Sequence, residues 1–217
     1  MNARVFSAIV VSVILSTLYI PSSFAADTAS ACHCFRDRAY DPARKASADE
    51  YILATGFNSL LSGRFGIMKR DIVMARMNGT DGDDMMVALY AARKGGRDYG
   101  ILLDKRKAGT SWASILLPGE IPPGLTKSVS VAEAAGIDTV ARYFDVGAAD
   151  VAAFRKSGFS LKETALLFGL ARKTGRTASE FAAMSRKARK SWGEIAHELG
   201  IEPQAVGPMM EAAGSDH

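Results

Sequence analysis

Residues 160–200 read SLKETALLFGLARKTGRTASEFAAMSRKARKSWGEIAHELG. Three times in this stretch a hydroxyl residue stands three places before a glutamate: Ser160 and Glu163, Thr177 and Glu180, Ser191 and Glu194. At that spacing the hydroxyl accepts from the backbone N–H of the third helical residue, and the glutamate reaches back to the N–H of the cap. Each pair therefore marks a helix start. The first helix is expected to run through Lys173, with Leu161, Ala165, Leu166, Phe168 and Leu170 on its apolar side and Gly175 as its stop. The second carries Phe181 and Met184. The third is short and reaches Leu199, with Gly200 ending it and Pro203 where a first helical turn tolerates proline. No run in the chain alternates with a strand period over a useful length, so the expected fold class is all-α.

Working outward, the stretch has a partner earlier in the chain. Shifted by 79, residues 65–97 fall on 144–176, with identities at Phe65/Phe144, Asp71/Asp150, Arg76/Arg155, Gly79/Gly158, Ala92/Ala171, Arg93/Arg172, Lys94/Lys173, Gly96/Gly175 and Arg97/Arg176. After a one-residue insertion, Arg106/Arg186, Lys107/Lys187, Ala108/Ala188, Ser111/Ser191, Trp112/Trp192, Ile115/Ile195, Ile121/Ile201 and Pro123/Pro203 match. The expected architecture is two tandem copies of one small helical-bundle unit, at 47–127 and 128–217. A unit this small has a marginal core, and two stacked copies share apolar faces. By homology the first copy has helices near 70–77, 83–94, 99–107 and 111–117. Pro118, Pro122 and Pro123 predict a less regular end. Ser47-Ala-Asp-Glu50 predicts a cap for a helix running to about Leu61, and Ser130-Val-Ala-Glu133 a short helix joining the units. Trp112 and Trp192 are expected to be the aromatic anchors of their units.

The N-terminus reads as an export signal. Arg4 gives a short positive region, residues 5–20 are uncharged and mostly apolar, and Ser23-Phe24-Ala25 is a small-x-small cleavage site after Pro21. The run is short for a spanning helix. Residues 1–25 are thus expected to be a leader, 26–46 an irregular cysteine-containing segment, and the mature protein periplasmic or secreted. It meets a membrane only through the leader. Of the 217 residues 48% are hydrophobic and 23% charged, which is globular composition, and a net charge of +4 is too small to argue for nucleic acid or anionic lipid.

Ala-Arg-Lys-x-Gly-Arg occurs twice. Cations at a helix C-terminus offset the helix dipole and the glycine supplies a left-handed stop. The same residues, Arg93, Lys94 and Arg97 with Arg172, Lys173 and Arg176, are the candidate binding sites for acidic glycans, phosphate groups or an acidic partner. Residues 192–206 resemble the helix-turn-helix of sigma-factor-like and resolvase-like DNA-binding units, with Ala196, Gly200 and Val206 at the crossing. Four glutamates (Glu194, Glu198, Glu202, Glu211) surround it and no Lys or Arg follows Pro203. The motif is therefore read as packing geometry rather than DNA binding. Asp81-Gly-Asp83-Asp84 lacks a calcium loop and reads as an acidic helix start. No Ser-His-Asp, Cys-His or phosphate-loop pattern is present.

Cys32-His33-Cys34 holds the only two cysteines. In an oxidising compartment they can close a small, strained Cys32–Cys34 disulfide, pair with a second chain, stay idle, or with His33 offer soft ligands to Cu(I) or Zn(II) given a further donor. With Phe35-Arg-Asp-Arg-Ala-Tyr-Asp-Pro42 following, this segment resembles the start of uncharacterised exported bacterial proteins that pair a Cys-x-Cys segment with helical repeats. The resemblance implies export and a helical fold. The first functional expectation is an exported, non-enzymatic interaction protein of the cell envelope with a protein or envelope partner and no cofactor. The alternatives are a redox or metal-handling protein acting through Cys32, His33 and Cys34, and a cell-wall glycan binder using Arg97, Arg176 and the tryptophans.

Overall fold

A computed structural model describes residues 35–126 and 129–214; the expected leader and Cys32, His33 and Cys34 lie outside the described residues. Among the described residues the protein is all-helical. The elements are α1 (Asp49–Phe65), α2 (Lys69–Met77), α3 (Gly82–Gly95), α4 (Tyr99–Lys107), α5 (Trp112–Ile115), α6 (Val131–Phe144), α7 (Ala148–Lys156), α8 (Leu161–Thr174), α9 (Ala178–Arg186), α10 (Trp192–Glu198) and α11 (Val206–Ala212). Two 3-10 turns, Pro118–Glu120 and Pro203–Ala205, punctuate them. None of these helices is long and apolar enough to cross a membrane.

Local chemistry sets the ends. The hydroxyls of Ser160, Thr177 and Ser191 each accept from the N–H three residues on, and Glu163, Glu180 and Glu194 return to the cap N–H. Asp81 caps α3 by accepting from Asp83 N and Asp84 N. Gly96 and Gly175 close α3 and α8 at φ 64° and 70°, a left-handed conformation that costs a residue with a Cβ about 1 kcal/mol or more.

Three expectations need correction. Ser47 does not cap α1: the chain winds in through successive turns, Ala48 is already helical in backbone, and the Ser47 hydroxyl is buried without a partner. α1 also runs a further turn to Phe65. The helix after Ser130 is not a short joiner but a 14-residue element with Ala134, Ala135, Val140, Tyr143 and Phe144 buried. Small residues along it weakened the apolar signal. The helix expected over 111–117 stops at Ile115 because Pro118 forces Leu117 into extended backbone, φ −87° and ψ 159°.

Helix bounds recur along the chain. α2, α3 and α4 have the lengths of α7, α8 and α9 and precede them by 79 residues, and Trp112 and Trp192 open α5 and α10. Interior positions recur with them: Ile72 and Val151, Ala88 and Leu167, Leu102 and Phe181, Ile115 and Ile195 are all buried.

One continuous apolar core runs through both units, so they are not separate bodies. The first helix of each expected unit packs more on the other's long helix than on its own. α1 packs more extensively on α8 than on α3, and α6 more on α3 than on α8. α1 is the hub, touching α2, α3, α6, α8, α10 and α11, with Ile52, Phe57, Leu60 and Leu61 all buried. A helix covered on every side shows little amphipathic signal in its sequence.

Candidate functional site

The N-termini of α3, α6 and α8, capped by Asp81, Ser130 and Ser160, border a groove between the two units. One cavity of about 440 Å³ has Leu53, Phe57 and Leu161 as its apolar wall and Asp83, Arg155 and Lys162 as its charged lining. A second, about 580 Å³, shares Asp83, Ser130 and Ala132 with it and extends to Arg106, Ser111 and Trp112. Unsatisfied N–H groups at helix starts and the positive dipole end favour an anionic group there.

Most charges around the groove are paired. Arg155 forks onto Glu133, with Nη2 2.7 Å and Nε 2.9 Å from its carboxylate oxygens, and also donates to the Phe159 carbonyl. Arg106 Nε lies 3.0 and 3.1 Å from the two Asp84 oxygens. Lys162 and Asp83 differ: neither side chain forms a hydrogen bond or ion pair within the described residues. Burial holds the Lys162 ammonium below its usual range, and the nearby Arg76 charge adds to this. Asp83 stands at the open rim, where desolvation on its protein side and the neighbouring Asp81 push its carboxyl up. Burial outweighs the attraction that Asp83 and Lys162 exert on each other, so both groups are biased toward their neutral forms.

The basic residues singled out in the sequence sit elsewhere. Arg93 and Lys94 end α3, and Arg172 and Lys173 end α8, about 20 Å of helix from the groove. Arg97 is ion-paired with Glu120, which is 1% exposed, and donates to the Ile115 carbonyl at 3.1 Å. Arg176 lies over the Phe181 ring at 4.9 Å. Arg172 reaches the Phe144 carbonyl at 3.4 Å and, with Lys173, edges a shallow cavity beside Met209. Trp112 and Trp192 are interior and hold matching places: their indole N–H groups donate to Asp84 and Glu163, residues themselves 79 apart. Ala196 and Val206 are both buried, and α10 and α11 each pack on α1.

The arm from Phe35 to Ala48 docks on α1 and α10. Tyr40 stacks on His197 at 4.3 Å, Lys45 pairs with Glu194 at 2.6 Å, and Asp49 accepts from Gly193 N at 2.7 Å. A Cβ at residue 193 would lie 2.7 Å from the Lys45 carbonyl, so Gly193 is what lets the arm approach. Among the described residues no cluster of three or more His, Cys, Asp or Glu could hold a metal. Cys32, His33 and Cys34 fall outside them.

Sequence reasoning missed two polar clusters because both exist only once helices pack. Lys69 donates to Thr55 Oγ1 at 3.0 Å and Ser59 to Glu211 at 2.9 Å, a seam between α1, α2 and α11 in which burial lowers the Lys69 ammonium. Asn58 and Arg76 face a further cavity beside Phe35. No protein-family model, curated protein or solved structure matches the chain.

Proposed function

We propose that this chain is an exported, non-enzymatic binding protein of the cell envelope whose receiving surface is the groove between its two units. The observation that carries the reading is Lys162, a partly buried ammonium with no ion-pair partner, set where three helix N-termini border one cavity. That arrangement is unfavourable for stability on its own and favourable for an acidic group presented by a partner. Export is supported by the leader pattern of residues 1–25 and by the resemblance of residues 32–42 to exported proteins. Descent of both halves from one helical unit is supported by the recurring helix bounds and the paired indole bonds. The glycan-binding alternative draws on Arg97, Arg176 and two tryptophans, but Arg97 is engaged by Glu120, Arg176 lies over Phe181 beside Glu180 and both indoles are interior, so the groove is preferred.

The test uses the mature protein and Lys162→Met on a cell-envelope fraction. The native protein is retained, and the variant is retained about tenfold less while melting at the same or a higher temperature. Equal retention of both removes the groove from the function.

A metal-handling role for Cys32, His33 and Cys34 has one supporting observation. Met68, Met74 and Met77 expose soft thioethers on and beside α2, and Met77 shares a cavity with Phe35, the residue next to Cys34 in sequence. Metal analysis of the mature protein checks it. Absence of bound Cu(I) or Zn(II) after reconstitution, with Cys32→Ser plus Cys34→Ser behaving as native, dismisses it.

A further inference from the structure

Two turns at matching places in the two units differ in charge. Aligned on Trp112 and Trp192, the first reads Arg106-Lys-Ala-Gly-Thr110 and the second Arg186-Lys-Ala-Arg-Lys190. Gly109 and Arg189 therefore hold the same position, and both have positive φ, 89° and 55°. Glycine takes that conformation freely, whereas a residue with a Cβ is disfavoured in it. The second unit thus keeps an arginine where its own fold would be better served by glycine. Arg189 is exposed and makes no side-chain hydrogen bond or ion pair among the described residues, so no internal contact accounts for the cation.

Its surroundings carry the same sign. Lys187 is exposed and unpaired among the described residues. Arg186 donates to the Gly158 carbonyl at 2.8 Å and lies over the Phe159 ring at 4.5 Å. That contact brings the turn against the end of α7, where Lys156 is likewise exposed and unpaired. In the first unit the matching corner holds Met77 in place of Lys156, and Arg106 is neutralised by Asp84. The glutamates of α8 and α10 are taken: Glu198 by Lys190 at 2.6 Å, Glu194 by Lys45 at 2.6 Å, and Glu163 by the Ser160 N–H and the Trp192 indole. Four cations, Lys156, Arg186, Lys187 and Arg189, consequently face solvent with no ion-pair partner among the described residues. A net charge of +4 for the whole chain conceals this local excess.

We propose that this corner of the second unit is a docking surface for an anionic phospholipid bilayer. None of the cavities described above is lined by these four residues, so the surface reads charge density rather than the shape of one small ligand. A bilayer supplies many phosphates side by side, and each lysine or arginine held near it adds to the attraction. The mature protein then meets a lipid surface here, in addition to the contact expected through its leader.

Co-sedimentation of the mature protein with purified vesicles tests this apart from the groove, because the vesicles carry no protein partner. Binding is expected to vesicles of phosphatidylglycerol and phosphatidylcholine in equal parts and not to phosphatidylcholine alone. It should fall about tenfold or more between low salt and roughly 0.5 M. Lys187→Gln plus Arg189→Gly should bind about tenfold or more weakly than the native protein. Arg189→Gly alone should melt at the same or a higher temperature, which separates a lost surface from a lost fold. Lys105→Gln plus Lys107→Gln, which removes equal charge from the first unit, should bind as the native protein does. Equal binding to neutral and anionic vesicles, or losses of equal size in the two double variants, would overturn the proposal. So would release by inorganic phosphate but not by chloride at the same ionic strength, which marks a phosphate site instead of a bilayer surface. Capture by soluble polyglutamate without binding to the vesicles would overturn it as well.

Discussion

Trp112 donates its indole N–H to Asp84 Oδ1 at 2.7 Å, tying the start of α5 to the first turn of α3. The same carboxylate receives Arg106, so one side chain of α3 fixes both α4 and α5. Asp84→Ala strands a buried indole donor and a guanidinium together. The expected loss is about 2–3 kcal/mol in urea unfolding. Asp84→Asn keeps an acceptor and should lose less than half of that. Equal losses for the two variants would show that the carboxylate charge, not the indole bond, sets the cost.

Arg97 and Glu120 make a second, sharper case. Glu120 is 1% exposed, and its charge is balanced by Arg97. Arg97→Met leaves that charge buried and unpaired, an effect of roughly 3–5 kcal/mol. Adding Glu120→Leu should restore most of the lost stability, because an apolar pair of similar volume is tolerated there. A double variant as unstable as the single one would show that packing around residue 120 dominates.

Much of this fold was legible because helix starts are local. The boxes at Ser160, Thr177 and Ser191 need only residues three apart, and all three form. Ser47 shows the limit of that rule: the same pattern is present, but Asp49 is drawn to Gly193 of α10 and the chain enters α1 through turns instead. The central place of α1 was not legible, because burial on all sides erases the one-faced apolar stripe that periodicity detects. The unpaired Lys162 was equally hidden. Whether a polar side chain finds a partner is decided by the helix packed against it, which no local pattern states.

Alkaline pH offers an independent probe of the interior. Tyr90 is pushed up to about 12, mainly by burial and then by the Asp138 carboxylate it donates to at 3.1 Å. Tyr143 is pushed up to about 12 by burial and then by Glu211, and it donates to the Met210 carbonyl at 2.6 Å. Both are held protonated in the fold while the unfolded chain ionises near 10. Above that pH the unfolded chain binds fewer protons, so stability falls as pH rises from about 10 toward 12 and is fully present below that range. Each tyrosine accounts for roughly 2–3 kcal/mol. Ultraviolet absorbance titration should show these two ionising only with loss of helical circular dichroism. Tyr90→Phe should flatten the decline. Free titration of all tyrosines near 10 in the folded protein would contradict it.

The packing of each unit's first helix on the other's long helix makes the strongest demand on the whole architecture. α8 rests more on α1 than on any other helix, its neighbours α7 and α9 included, and α11 lies along α1. Neither unit, cut from the other, keeps the helix that covers its central one. An isolated fragment of residues 129–214 exposes the side of α8 that α1 covers, and has too little core to offset chain entropy. It is expected to be unfolded or molten, and so is a fragment of residues 35–126. Mixed in equal amounts, the two should regain the helical circular dichroism and a cooperative melt, because the contacts between them are those of the intact core. Cooperative folding of the 129–214 fragment by itself would mean that α6 alone covers α8, and the packing of α1 on α8 would then carry little of the stability.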